Sequence, residues 1–220
     1  MASRSITTRK RDLAITLQSI PKHPDPQVAL EQYTIPANLA AGILFRACYE
    51  FGDIEDKIVM DLGTGTGRLA LGASTLGAGY VVGVDVDRWA LSVASENSKK
   101  LGLTTDWVLA DIHTLRGSVD TVVMNPPFGT KRPHADRDFL ETAFRLARVI
   151  YSIHKSSTRE YLAGWFRERD AKASILMTTK MEVPHQFSFH RMRSRDIEVD
   201  VFRIEVKRDT VSALIYRAAV

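Results

Sequence analysis

From Lys57 onward, short and nearly continuous apolar runs alternate with longer stretches whose apolar residues recur every three or four positions. The first kind of segment reads as a buried strand and the second as a surface helix. The pattern predicts strands at Ile58–Leu62, Tyr80–Asp85, Trp107–Ala110, Val119–Met124 and Val149–Ile153, with helices at Arg68–Leu76, Arg88–Leu101 and Arg137–Arg148 among them. In the last of these helices Phe139, Leu140, Ala143, Phe144 and Ala147 form the apolar stripe. Ser156 or Ser157 is placed to cap a helix running through Glu168, with Glu160 in the reciprocal position of a capping box. Ser174–Thr179 and Ile197–Val206 close the pattern as strands, and Val211–Tyr216 offers one more.

Upstream the pattern differs. Arg4 to Ile20 has the spacing of a short helix with a basic end, and Pro21, Pro24 and Pro26 forbid its continuation. Ala37 to Phe51 is amphipathic, with Leu39, Ile43, Leu44 and Ala47 on one stripe and Gly52 as its stop. Repeated βα units with short connections predict an α/β fold: a doubly wound, mostly parallel sheet with helices on both faces. We read residues 1–220 as a single domain, with a basic, proline-interrupted N-terminal extension (1–29), a core (30–206) and a C-terminal extension (207–220).

In such sheets ligands lie outside the carboxyl ends of the strands. The first strand runs into Asp61-Leu62-Gly63-Thr64-Gly65-Thr66-Gly67, where glycines let the backbone pass close under a ligand. A dinucleotide fingerprint counted from Gly63 would need glycine at Arg68, so the spacing argues against a pyrophosphate seat. Asp85 ends the second strand, where it can accept from both hydroxyls of a ribose. Asp111 ends the third and can take an exocyclic amine, with Ile112 offering a backbone N–H and an apolar face. Each feature alone has a bland reading as a tight turn or a solvated strand end. Their joint placement is that of a nucleoside-binding sheet.

At these residues the chain resembles the class I S-adenosylmethionine-dependent methyltransferases, which implies a Rossmann-like fold. The resemblance implies that the glycine turn (Asp61, Gly63, Gly65, Gly67) cradles the methionine part of S-adenosylmethionine, Asp85 its ribose, and Asp111 with Ile112 its adenine.

The fourth strand ends in Asn125-Pro126-Pro127-Phe128. An exocyclic amine is a poor nucleophile because its lone pair is delocalised into the ring. The Asn125 side-chain oxygen and the Pro126 carbonyl can accept its two hydrogens and favour the tetrahedral geometry of attack. Pro127 has no N–H to compete for those acceptors, and Phe128 can stack on the target ring.

Four segments extend the likeness: Leu30-Glu31-Gln32-Tyr33, Asn125 to Lys131, His154 to Glu160, and Asp196 to Asp200. Together they are similar to the family of methyltransferase-like protein five and its archaeal relatives. That family's activity is N6-methylation of an adenosine in small-subunit ribosomal RNA. The resemblance implies a position over the cofactor for Gln32, and a small zinc-binding methyltransferase activator as heterodimeric partner. Thr64 and Thr66 depart from it, standing where the eukaryotic relatives carry cysteines.

Charge sharpens the substrate. Lys and Arg number 30 against 26 Asp and Glu, a formal +4 that leans towards a polyanion. Lys131 and Arg132 beside the amine loop, Lys155 and Arg159 after the fifth strand, and Arg191 and Arg193 further on are candidates to contact RNA phosphates. Trp107-Val108-Leu109 is apolar for a strand expected at the sheet edge, and such an edge invites strand addition or needs covering. The histidines are too scattered for a metal site, and the single Cys48 fits a reducing, cytoplasmic setting. No apolar run is long enough to cross a membrane. The expected activity is adenine-N6 methylation of small-subunit ribosomal RNA. Methylation of guanine N2 or of a protein glutamine stands as the alternative within enzymes, and a non-catalytic ribosome-maturation factor outside them.

Overall fold

The computed structural model of the protein describes residues 8–129, 131, 135–184 and 194–207. Among these residues seven strands form one sheet: β1 (Ile58–Leu62), β2 (Tyr80–Asp85), β3 (Asp106–Leu109), β4 (Val119–Met124), β5 (Ala147–Lys155), β6 (Lys172–Pro184) and β7 (Ser194–Glu205). Their order is β3-β2-β1-β4-β5-β7-β6. The first five are parallel, and β7 runs antiparallel between β5 and β6.

The chain leaves β1 towards β2 on one side and returns to β4 on the other, so the switch point lies between β1 and β4. Register places Leu62 opposite Met124. The glycine turn and the Asn125 loop therefore leave the sheet side by side at the same height, where a ligand seat is expected.

Helices α1 (Lys10–Gln18), α2 (Ala37–Tyr49), α3 (Arg68–Thr75), α4 (Arg88–Leu101), α5 (Ala135–Leu146) and α6 (Arg159–Glu168) cover both faces. Alternation along each strand divides the apolar side chains between two cores. Val59, Val81, Val123 and Val201 pack with α1, α2 and α3, whereas Met60, Val82, Val122 and Phe202 pack with α5 and α6. Leu13 and Leu17 of α1 are fully buried, so the stretch expected as an extension supplies core.

Several boundaries differ from the sequence expectation. Helix α5 starts and ends two residues earlier than the predicted Arg137–Arg148, because Ala135 is buried and Ala147 already pairs with Val119. The predicted capping box is absent: Ser156–Thr158 form a 3-10 turn, Thr158 precedes α6 without a side-chain cap, and Ser156 Oγ donates to Asp200 Oδ1 at 3.0 Å. Strands β6 and β7 extend past Ser174–Thr179 and Ile197–Val206 into a long hairpin pairing from Lys172↔Glu205 to Pro184↔Ser194. The expected start of α1 at Arg4 and a strand at Val211–Tyr216 lie outside the described residues. Among the described residues no helix is long and apolar enough to cross a membrane.

Candidate active site

Glycines 63, 65 and 67 all have positive φ, at 68°, 54° and 88°, so the turn after β1 follows a path that side-chain-bearing residues rarely adopt. The Gly63 and Thr64 N–H groups donate to Val84 O at 2.9 and 3.0 Å, pinning the turn to β2. Asp61 locks it from below, accepting from Thr64 Oγ1 at 2.6 Å and from the Ala70 N–H at 3.0 Å on Oδ2. Its other oxygen, Oδ1, is buried without a partner. Burial pushes the Asp61 carboxyl up to about 7 from 3.8, against the lowering effect of those two bonds.

Asp85 closes the turn from the neighbouring strand. Its Oδ2 accepts from the Gly65 N–H at 2.8 Å and its Oδ1 from the Asp87 N–H at 2.9 Å, while burial raises its pKa. Asp111 accepts from the His113 N–H at 2.9 Å and starts a 3-10 turn that brings Ile112 into contact with the same space.

One cavity gathers these elements. Asp61, Gly63, Gly65, Asp85, Asp111 and Ile112 line it, as do Gln32 and, from the acceptor loop, Asn125 and Pro127. Of the expected cofactor residues only Gly67 stands apart. A Cβ there would meet Trp107 Cη2 at 2.6 Å and Ala94 Cβ at 3.2 Å, so packing against α4 and β3 also requires glycine at that position. Where the Gly65 Cβ would stand nothing lies within 4 Å, which leaves the open shelf a ligand needs.

Asn125 donates its Nδ2 to Tyr33 O at 2.8 Å, and its Oδ1 is buried and unpartnered. Pro126 is buried. Phe128 is buried beside the cavity lining, and its ring stacks on Tyr33 with centroids 6.2 Å apart at 24°. Tyr33 and Phe139 are the phenyl-ring residues that line the cavity.

A strap formed by residues 21–35 roofs the site. Gln32 donates to Asp87 Oδ2 at 2.7 Å and accepts from the Gln27 N–H at 2.7 Å, so its amide bridges the strap to the start of α4. His23 approaches the same Asp87 oxygen at 3.1 Å. Burial opposes ionisation of Asp87, but bonds from Gln32, Ala90 and Trp89 and the neighbouring His23 outweigh it and hold the carboxyl low. Arg68, buried at the foot of α3, donates to Ile35 O and Ile20 O and so ties down both ends of the strap. Sequence reasoning singled out Gln32 but missed Glu31, Tyr33 and Arg68; Phe139, whose ring lies under Gly63, was read only as core.

The basic candidates divide. Arg159 donates to Asp200 through its Nε and NH2 at 2.8 and 2.7 Å, an ion pair that braces β7, and its side chain remains 42% exposed. Lys155 Nζ donates to Phe128 O at 3.3 Å and lies 5.8 Å from the Phe128 ring centroid. The Lys131 backbone N–H is bonded to Glu31 Oε1 at 2.7 Å. Arg132, Arg191 and Arg193 lie outside the described residues. Among the described residues no cluster of His, Cys, Asp or Glu could hold a metal ion.

Comparison with known proteins adds the following. The model of ribosomal protein L11 methyltransferase (PrmA) matches residues 47–126. The rRNA N(6)-adenosine-methyltransferase Mettl5 of Drosophila melanogaster is 39% identical over 204 residues, which cover 89% of this chain and 96% of that protein. An uncharacterized protein of Methanocaldococcus jannaschii is 36% identical over 90% of this chain and 94% of its own length. A crystal structure of a candidate RNA methyltransferase from Pyrococcus horikoshii superposes with a TM-score of 0.84 at 43% identity, covering 91% of this chain and 99% of that one.

Proposed function

The chain belongs to the family of the rRNA N(6)-adenosine-methyltransferase METTL5, and from that premise we propose that it methylates the N6 amine of one adenosine in small-subunit ribosomal RNA. S-adenosylmethionine supplies the methyl group as a sulfonium. The residues present fit it: the open shelf at Gly65, the strand-end carboxylates Asp85 and Asp111, the apolar Ile112, and the unpartnered Asp61 Oδ1 for a cationic amino group. Gln32 and Tyr33 close the seat from above.

The observation that carries the reading is Asn125 Oδ1, a buried acceptor left without a donor beside that seat. An unsatisfied buried acceptor is costly, by about 1–3 kcal/mol, unless a ligand completes it. An adenine amine turned out of its RNA would do so, giving one hydrogen to Asn125 Oδ1 and the other to the Pro126 carbonyl. Holding both hydrogens biases the nitrogen lone pair towards the methyl group, and Pro127 keeps the turn rigid. Tyr33, backed by Phe128, offers the ring face against which the base lies. The amine becomes cationic on methylation and loses its proton to water afterwards, so no general base is assigned.

Lys131, Lys155 and Arg159 are the described basic residues proposed to contact RNA phosphates, with Arg132, Arg191 and Arg193 proposed from the sequence alone. The activator partner is proposed for the β3 edge, where Val108 and Leu109 remain 39% and 44% exposed while the described N-terminal segment packs on α2 and α3. A cytoplasmic location follows from a ribosomal substrate.

The test is incubation of the protein, with and without a zinc-binding activator, with labelled S-adenosylmethionine and separated ribosomal RNAs, followed by nucleoside mass spectrometry. N6-methyladenosine confined to the small-subunit RNA is expected. Label in guanosine, in a protein glutamine or only in large-subunit RNA would overturn the assignment.

A further inference from the structure

Glu31 does something no strand-end motif announces. It is buried to 5% exposure and has a φ of 50°, a conformation uncommon for a residue with a side chain and kept only where its surroundings impose it. Both carboxylate oxygens are used on one target: Oε2 accepts from the Phe128 N–H at 2.9 Å and Oε1 from the Lys131 N–H at 2.7 Å. These donors lie on the far side of the acceptor turn from Asn125. On the near side, Tyr33 O takes Asn125 Nδ2. Between these two anchors Gln32 reaches the opposite way, to Asp87 at the ribose-side turn. The Tyr33 N–H closes back on Glu31 O at 2.8 Å, so three consecutive residues form one tight bend with its side chains and carbonyls apportioned between the two halves of the site.

We infer that Glu31 is a positioning residue for the transfer: its carboxylate staples the peptide N–H groups of Phe128 and Lys131 and so sets the Asn125–Phe128 turn in the form that presents the amine acceptors. The inference rests on the reading of that turn as the amine clamp. Its physical basis is that a carboxylate is an acceptor at both oxygens and bonds to backbone N–H groups with charge assistance. The adjoining Pro126 carbonyl has no N–H on its own peptide, because Pro127 follows it. The next fixed peptide plane along the chain is the one Glu31 holds. The same bend carries Gln32, so the amine clamp is set only while the strap lies over the cofactor seat. The strap thereby couples donor binding to acceptor geometry.

Glu31→Gln separates the staple from mere packing. Glutamine preserves size and shape but has one acceptor oxygen, and its Nε2–H group would face a backbone N–H. We expect kcat to fall about 10- to 100-fold, the scale of a misplaced reacting group. The dissociation constant for S-adenosylmethionine should rise by less than kcat falls, because Gln32 and Arg68 still tie the strap, and the urea midpoint should drop by no more than the loss of one or two hydrogen bonds. Amide exchange at Phe128 and Lys131, followed by NMR on the full chain, should accelerate tenfold or more while the β1 and β4 amides stay protected. Unchanged kcat, unchanged exchange at those two amides, or a loss of cofactor affinity equal to the loss of kcat would each overturn the inference. Asn125→Ala run in parallel distinguishes the levels. If it retains transfer, the reading of the turn itself fails. If it abolishes transfer while Glu31→Gln is silent, only the staple fails.

Discussion

Replacing Arg68 by methionine tests whether the strap is an operating part of the site. Arg68 is 5% exposed, its Nε has no partner, and burial lowers its pKa. Its two terminal nitrogens donate to Ile20 O and Ile35 O, the residues that bound the strap. Methionine keeps an apolar stem of similar reach and removes both donors. Hydrogen bonds from a charged group contribute about 1.5–3 kcal/mol each, so docking of the strap loses on the order of 3 kcal/mol even at the lower end. Global stability changes much less, because the variant no longer buries a charge, an opposing term of several kcal/mol. The loss therefore falls on the open–closed balance of residues 21–35, shifting it by about 10²-fold towards open. The apparent dissociation constant scales as the reciprocal of the closed fraction, and we expect it to rise tenfold or more. Calorimetric titration with S-adenosylmethionine measures it. Tryptic cleavage at Lys22, within the strap, reports opening directly, and a urea titration reports the fold. Wild-type cofactor affinity together with unchanged cleavage at Lys22 would refute the reasoning. Collapse of the urea midpoint would instead make Arg68 a residue of the core.

Asn125→Ala should leave cofactor affinity within about threefold and reduce transfer by 10² or more, the scale for one preorganised polar group, as read by single-turnover labelling of RNA. Asp61 gives a pH signature. Its folded pKa of about 7 lies above the ordinary 3.8, so between these values the native state holds a proton that the unfolded state has released. Stability from this group therefore falls as pH rises through that window, by at most about 4 kcal/mol, and is then constant. Asp61→Asn removes the effect, so its stability relative to wild type should improve from pH 5 to pH 8 in urea titrations; an equal difference at both values would contradict the burial argument. Gly83→Ala should destabilise by about 1–3 kcal/mol, because the new Cβ would meet Trp107 Cζ3 and Thr64 Oγ1 at 2.4 and 2.9 Å. Thermal melting should show a drop of several degrees.

The parallel half of the sheet was readable because its strands are buried on both faces and its turns are punctuated by glycine and aspartate. Val59 and Met60, or Val122 and Val123, show as continuous runs however the chain folds around them. The hairpin of β6 and β7 was not readable in full. Lys172, Ala173 and Lys180 to Pro184 carry no strong strand pattern, and their pairing with residues of β7 is a long-range property. The site divides in the same way. Asp85, Asp111 and Asn125 stand at strand ends, where topology alone makes a side chain face the ligand. Glu31, Tyr33 and Arg68 act across separations of 97, 92 and 48 residues, and the groups they meet are mostly backbone N–H and C=O, which leave no trace in side-chain identity.

The bond from Asn125 Nδ2 to Tyr33 O also sets a polarity. With its amide nitrogen committed, the side chain cannot turn over to offer a donor to the cavity. A purine that carries an oxo group where adenine carries its amine would bring lone pairs against Oδ1 and leave that oxygen unsatisfied. Such a mismatch at a buried polar group discriminates far more strongly than a change in shape. The site would therefore ignore a nucleotide that had been deaminated to inosine, even one held in the right place by the surrounding RNA. Deamination removes the methyl acceptor itself, and the orientation of this amide adds that the damaged base would also fail to occupy the site.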